Sequence, residues 1–180
     1  MAAEKEFGPG EFNRLDPMTV TMPQSESVAA LLSGRTEITA HFTVPPFSNR
    51  ELKDPKIKAV LRSTDILGGV NTNIVAYTTK AFRDSNPKTA KAYLDALDEA
   101  SGKVANDRNQ AAALYLQASL DKILIGELIE ILGDPALRYS PAPTGTMVFA
   151  EFMYRVGSIR MKPTSWEDLF FESIHHLPGS

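Results

Sequence analysis

This sequence has no cysteine, a single tryptophan, and no apolar run approaching the ~20 residues a membrane helix requires. The missing thiols exclude disulfides, thiol nucleophiles and thiolate metal sites together, and they fit either redox compartment. A surplus of positive charge is also lacking: 19 basic residues against 22 acidic leave a net charge of -3. Neither nucleic acid nor an anionic membrane is therefore expected as a partner. No basic stretch followed by an apolar one stands at the amino terminus, so the chain as given is expected to carry no secretory signal and to remain cytoplasmic. No Walker lysine loop, GxGxxG turn or GxSxG elbow occurs. What is present is ordinary for a folded protein: 43% hydrophobic and 23% charged residues in a length of 180. That is material for one domain and a fraction, with no internal repeat.

The first 85 residues read as strands alternating with helices. Pro17 to Met22 is a short β-rich run. Ser25 to Ser33 then puts Val28, Leu31 and Leu32 on one helix face, closed by Gly34. Ile38 to Thr43 is β-like again, so these elements predict a compact βαβ unit with parallel strands. Phe47 to Lys53 reads as a helical turn. Lys56 to Arg62 alternates as a half-buried strand would, and Asn71 to Thr79 is rich in β-branched residues.

From residue 86 helices take over. Asn86-Pro87 is an N-cap followed by proline at the first helical position, ahead of an apolar stripe of Tyr93, Ala96, Leu97 and Ala100. Lys91 and Asp95 stand one turn apart as an ion pair. Asp107 and Asp121 are expected to cap two more helices, the second stopped by Gly133-Asp134-Pro135. Thr144 to Gly157 is a further helix, and Thr164-Ser165-Trp166-Glu167 matches a capping box. The predicted fold is thus an α/β half over residues 1–85 followed by an all-helical half over 86–180.

In open α/β sheets, ligands sit outside the carboxyl ends of parallel strands. Here those ends are Met22-Pro23-Gln24-Ser25, which runs into a helix N-terminus that favours an acceptor, and His41-Phe42-Thr43-Val44-Pro45-Pro46-Phe47. The second supplies an imidazole, a hydroxyl and two rings, a wall suited to a small ring or apolar body. The competing reading is that Gln24 and Ser25 merely cap the helix and that Phe42 and Phe47 are core. His41 has no carboxylate beside it in sequence and reads either as a structural histidine or as a general base. Gly68-Gly69-Val70-Asn71-Thr72-Asn73 is a second polar cluster, whose side chains want partners from a ligand or from backbone. His175-His176 lacks the i, i+4 spacing of a metal pair and reads as part of a solvated tail. No metal or cofactor is expected.

Residues 21–42, from Thr21-Met22-Pro23-Gln24 to Thr39-Ala40-His41-Phe42, followed by Pro45-Pro46-Phe47, resemble a stretch of the extracytoplasmic solute-binding proteins of ABC transporters. The similar group is the one that serves nitrate, sulfonates, taurine and thiamine-pyrimidine precursors. The resemblance continues through Leu67-Gly68-Gly69-Val70-Asn71-Thr72-Asn73, Phe82-Arg83-Asp84-Ser85-Asn86-Pro87-Lys88 and Phe152-Met153-Tyr154-Arg155-Val156-Gly157. It covers nearly the whole chain, and the order and spacing of these segments carry it rather than any single motif.

The resemblance implies a periplasmic-binding-protein-like (type II) lobe, partial, followed by C-terminal helices, with the first lobe and any leader outside this sequence. It implies ligand contacts at Gln24, Ser25, His41, Phe42, Thr43, Phe47, Thr72 and Asn73, and ABC permease subunits as partners of the full-length protein. It also implies a periplasmic or membrane-anchored extracytoplasmic location. No lysine or arginine occurs over residues 17–34 or 36–49 except Arg35 between them, so a weakly charged or aromatic-bearing solute fits better than a hard anion. The enzymes similar to this family, a desulfinase and a thiamine-precursor synthase, resemble cysteine-dependent designs that a cysteine-free chain does not match. A solute receptor without catalysis is the expected function. The alternative is an enzyme of thiamine-precursor or sulfur metabolism with His41 in a chemical role. A homodimer or domain swap is expected to cover the unpaired edges of an incomplete sheet.

Overall fold

Helix formation follows the local signals closely. The computed structural model describes residues 1–119 and 122–180. Among them are nine α-helices: α1 (Ala2–Phe7), α2 (Gln24–Ser33), α3 (Phe47–Glu51), α4 (Ser63–Leu67), α5 (Lys80–Ser85), α6 (Pro87–Asn106), α7 (Arg108–Ala118), α8 (Ile125–Leu132) and α9 (Thr146–Arg155). Short 3-10 turns occupy Asp16–Met18, Trp166–Leu169 and Glu172–Ile174. Gly34 ends α2 in the left-handed conformation, φ 60°, that costs a glycine little. Pro87 opens α6, where its missing N–H is no loss. Asp107 caps α7 by accepting the N–H of Gln110 at 2.9 Å.

Several helix starts differ from their expected form: Asn86 makes no side-chain bond to the first turn of α6, and α9 begins at Thr146 behind Gly145 rather than at Thr144. Asp121 lies outside the described residues, and α8 begins at Ile125 behind Leu124. The C-terminal capping box is shifted by one residue: Ser165 is the N-cap, and Asp168, rather than Glu167, closes the box.

The α/β expectation is overturned. The described residues contain no strand, and about half of the chain is helix. The periplasmic-binding-protein-like (type II) lobe, with its βαβ unit and sheet edges, is therefore not what this chain forms. The cause lies in what β-branched composition can and cannot specify. Residues 38–44, 57–62 and 70–79 run without helix or turn, as their composition demands. A strand also needs a neighbour to complete its ladder, and no such partner meets them among the described residues. Val60, Ile74 and Tyr77 are accordingly 90%, 86% and 94% exposed.

The chain divides into two compact units, Met1–Arg62 and Ser63–Ser180. The compositional change near residue 85 falls within the second, between α5 and α6. Unit 2 contains an apolar core in which Ala112 of α7 meets Ile123, Leu128 and Ile131, with Leu116, Ile129, Leu132 and Leu137 packed around them. The expected stripe on α6 is not buried: Tyr93 and Leu97 remain exposed.

The C-terminal residues of unit 2 are tied down rather than solvated. Ser180 accepts the N–H of Thr146 at 2.9 Å and donates its own N–H to Pro143 at 3.0 Å. Gly179 lies so close to Trp166 that an added Cβ would stand 2.5 Å from the ring. His175 sits edge-on to the same indole at 5.6 Å and shares its Nε2–H between the carbonyl oxygens of Glu167 and Phe170. Two acceptors on one ring nitrogen require the proton there, so His175 is a structural donor.

Little else is enclosed. Two separate globules of these unit lengths would expose about 10,000 Å² by the usual mass scaling. This chain exposes 13231 Å², and among the described residues no large side chain is completely buried. No helix among the described residues is long and apolar enough to cross a membrane.

Candidate functional site

Six of the eight expected ligand contacts fall in unit 1, and three of those six are drawn into hydrogen bonds. Gln24 is the first residue of α2, where the chain turns out of Pro23. Its Oε1 accepts the hydroxyl of Thr43 at 3.3 Å, joining the helix start to an extended segment nineteen residues on. His41, two residues before Thr43, turns its Nδ1 onto Glu51 Oε1 at 2.6 Å. Glu51 is the last residue of α3, so the Pro45-Pro46 turn folds the helix back beneath the segment that carries the imidazole. The His41 and Glu51 side chains are only 9% and 4% exposed.

Glu51 is a candidate residue that the sequence pattern does not mark. The available signal was an acid on a short helix across a proline-proline reversal from a histidine. A spacing of ten residues matches no periodic pattern, so the pair becomes visible only when the turn is built. Chemically, the carboxylate holds the Nδ1–H and fixes the tautomer, leaving Nε2 as the acceptor or base. It is the arrangement in which a carboxylate orients a histidine.

The remaining unit 1 residues are more open. Ser25 is exposed and its hydroxyl makes no cap bond to α2. The neighbouring Ser27 is the buried hydroxyl, donating to the Pro23 carbonyl at 3.2 Å. Phe42 is 78% exposed, so it is not core. Phe47 is half-buried at the start of α3, with the Arg50 guanidinium 6.0 Å from its ring centre.

The other two expected contacts, Thr72 and Asn73, belong to unit 2. Thr72 is consumed by backbone: its N–H donates to the Thr144 carbonyl at 2.7 Å, and its hydroxyl accepts the Thr144 N–H at 2.8 Å. That is the partner which a polar side chain entering a buried run needs, supplied without any ligand. Asn73 is exposed.

Unit 2 also holds a groove of about 810 Å³ between the start of α6 and the C-terminal residues. Apolar Leu94, Ile174 and Leu177 line it together with Arg83, Asp98 and His176. None of the eight expected contacts lines it. Arg83 is already engaged by Asp84 at 2.6 Å and stacked over Phe171 at 4.4 Å. Lys91, also on the groove wall, is held by Asp95 at 2.7 Å.

The chain matches no protein-family model, no curated protein and no solved structure.

Proposed function

We propose that this chain is part of a small-molecule binder, the solute-binding component of an ABC importer, which holds a weakly charged organic solute without turnover. The reading is supported by the resemblance that runs from Thr21 to Phe47 and recurs at residues 67–73, 82–88 and 152–157. The single observation that carries it is the polar cluster of Gln24, Thr43, His41 and Glu51, with the open ring of Phe42 in the same segment. A fixed imidazole, a primary amide and a hydroxyl suit a ligand that offers N–H or O–H donors and a flat ring. Extracytoplasmic location and docking on permease subunits belong to this proposal.

The test is ligand-induced thermal stabilisation with three probes: nitrate, taurine and 4-amino-5-hydroxymethyl-2-methylpyrimidine. The aminopyrimidine is expected to raise Tm, and Gln24→Ala and Phe42→Ala are expected to abolish the rise. No shift with any of the three probes at millimolar concentration would overturn the reading.

One observation favours a second reading. The buried His41–Glu51 pair has the form of a base and its orienter, as an enzyme on this sequence would need. Turnover of the aminopyrimidine that disappears in His41→Ala would select the enzyme. Stabilisation without turnover selects the receptor.

A further inference from the structure

Residues 73–78 make no hydrogen bond to any described residue, and all six are exposed. They belong to a ten-residue stretch, 70–79, that runs without turn or bend. The sequence Asn73-Ile74-Val75-Ala76-Tyr77-Thr78-Thr79 contains no charge and no proline. High β propensity, an unpaired backbone and no charge together make a template for another strand.

We infer that residues 73–79 pair antiparallel with the same residues of a second copy of this chain, about a two-fold axis at Ala76. In that register Val75 stands opposite Tyr77 of the other copy, and the symmetry makes the pair twice. A β-branched residue facing an aromatic one is among the favourable cross-strand pairs. Ile74 faces Thr78, and Asn73 faces Thr79, so no charge opposes another anywhere along the ladder. An isologous contact of this kind closes at two copies.

The other extended segments do not allow the same pairing. Residues 56–62 carry Lys56, Lys58 and Arg62. Self-pairing about Ala59 would set Lys56 against Arg62, and pairing about Val60 would set Lys58 against Arg62, both of which are repulsive. In residues 38–44 the side chains of His41 and Thr43 are already committed to Glu51 and Gln24. Within 70–79, residues 73–78 are the run left without charge or prior engagement, since Thr72 is bonded to Thr144 and Thr79 caps α5.

The exposed area of the whole chain leaves room for such a partner. The chain exposes 13231 Å², about 3,000 Å² beyond two separate globules of its unit lengths. Obligate homodimers bury roughly 2,000–5,000 Å² in total, or half of that on each copy. The excess on one copy is enough to supply its side of such an interface. This inference stands apart from the solute-binding reading, since it uses no residue of the unit 1 cluster.

Light scattering on the full chain at micromolar concentration, joined with amide hydrogen exchange, tests it. The expected result is a dimer mass with slowed exchange at 73–79. Two double variants then read the register. Val75→Lys with Tyr77→Lys puts ammonium groups opposite one another and is expected to weaken the dimer by at least about tenfold. Val75→Lys with Tyr77→Glu puts an ammonium opposite a carboxylate and is expected to remain dimeric. Val75 and Tyr77 are more than half exposed in the single copy, so both variants are expected to keep the wild-type helical circular dichroism. A monomer mass, a dimer whose 73–79 amides exchange freely, or equal behaviour of the two variants would each overturn the inference.

Discussion

The two units of this chain are stabilised by different kinds of burial. In unit 2 the enclosed side chains are mainly apolar, with Ala112, Ile123, Leu128 and Ile131 forming one cluster. In unit 1 the described buried residues are Ala3, Ser27 and Glu51. There a hydrogen-bonded carboxylate takes the central place that a leucine takes in unit 2. An apolar cluster is non-directional and tolerates small shifts, whereas a buried histidine–carboxylate pair holds only while its geometry is kept. Unit 2 is thus held mainly by apolar packing, and unit 1 depends more on directional polar contacts.

That contrast can be broken from the apolar side first. Leu128→Ala removes the middle of the α7–α8 cluster and is expected to cost unit 2 about 3 kcal/mol, read as a lower urea midpoint with unchanged slope. The polar side is expected to give a smaller effect with a chemical signature. Glu51→Leu leaves the His41 Nδ1–H without its acceptor and is expected to cost about 2 kcal/mol. Glu51→Gln keeps an oxygen at that place and is expected to recover about half of the loss. If both Glu51 variants unfold alike, hydrogen bonding is not what holds unit 1.

The smallest effect concerns pH. Asp168 accepts the Thr164 N–H at 2.7 Å, the Thr164 hydroxyl at 2.8 Å and the Ser165 N–H at 3.3 Å. The Thr164 backbone bond does most to hold its carboxyl below the usual range, followed by the Thr164 hydroxyl and Ser165, with His175 adding a weaker pull. A depressed folded value means that Asp168 stabilises the chain above the ordinary carboxylate pKa of about 3.9. That contribution disappears as pH falls through the lower folded value. Asp168→Asn is therefore expected to lower Tm slightly at neutral pH and to leave it unchanged in strong acid. A Tm difference that persists in strong acid would show that the carboxylate charge is not the cause.

Helix ends were legible in the sequence because each is decided within a few residues. Gly34, Pro87 and Asp107 act through their own φ or through one side-chain bond to the next turn. The shifted box at Ser165 shows the limit of that legibility. Asp168 and Glu167 are both acids in the first turn, and the backbone geometry decides which of them reaches Ser165. Part of the hydrogen bonding at the candidate site was legible. Gln24, His41 and Thr43 stand where polar residues at segment ends were expected to do chemistry, and they do make specific bonds. Thr72 carries the same signal, but Thr144, seventy-two residues away, satisfies it.

By itself the sequence marked most of the longer helices and three extended runs, since such preferences are settled by steric and hydrogen-bonding rules over one or two turns. It did not mark α4, α5 or the 3-10 turn at Asp16–Met18 that opens the expected β-rich run from Pro17 to Met22. Tertiary structure decided the contacts between residues far apart in the chain. It joined His41 to Glu51, folded Ser180 back onto Thr146, and left residues 73–78 without a hydrogen-bond partner among the described residues. A helix completes its backbone hydrogen bonds within itself, while a strand depends on a neighbour that local sequence cannot supply.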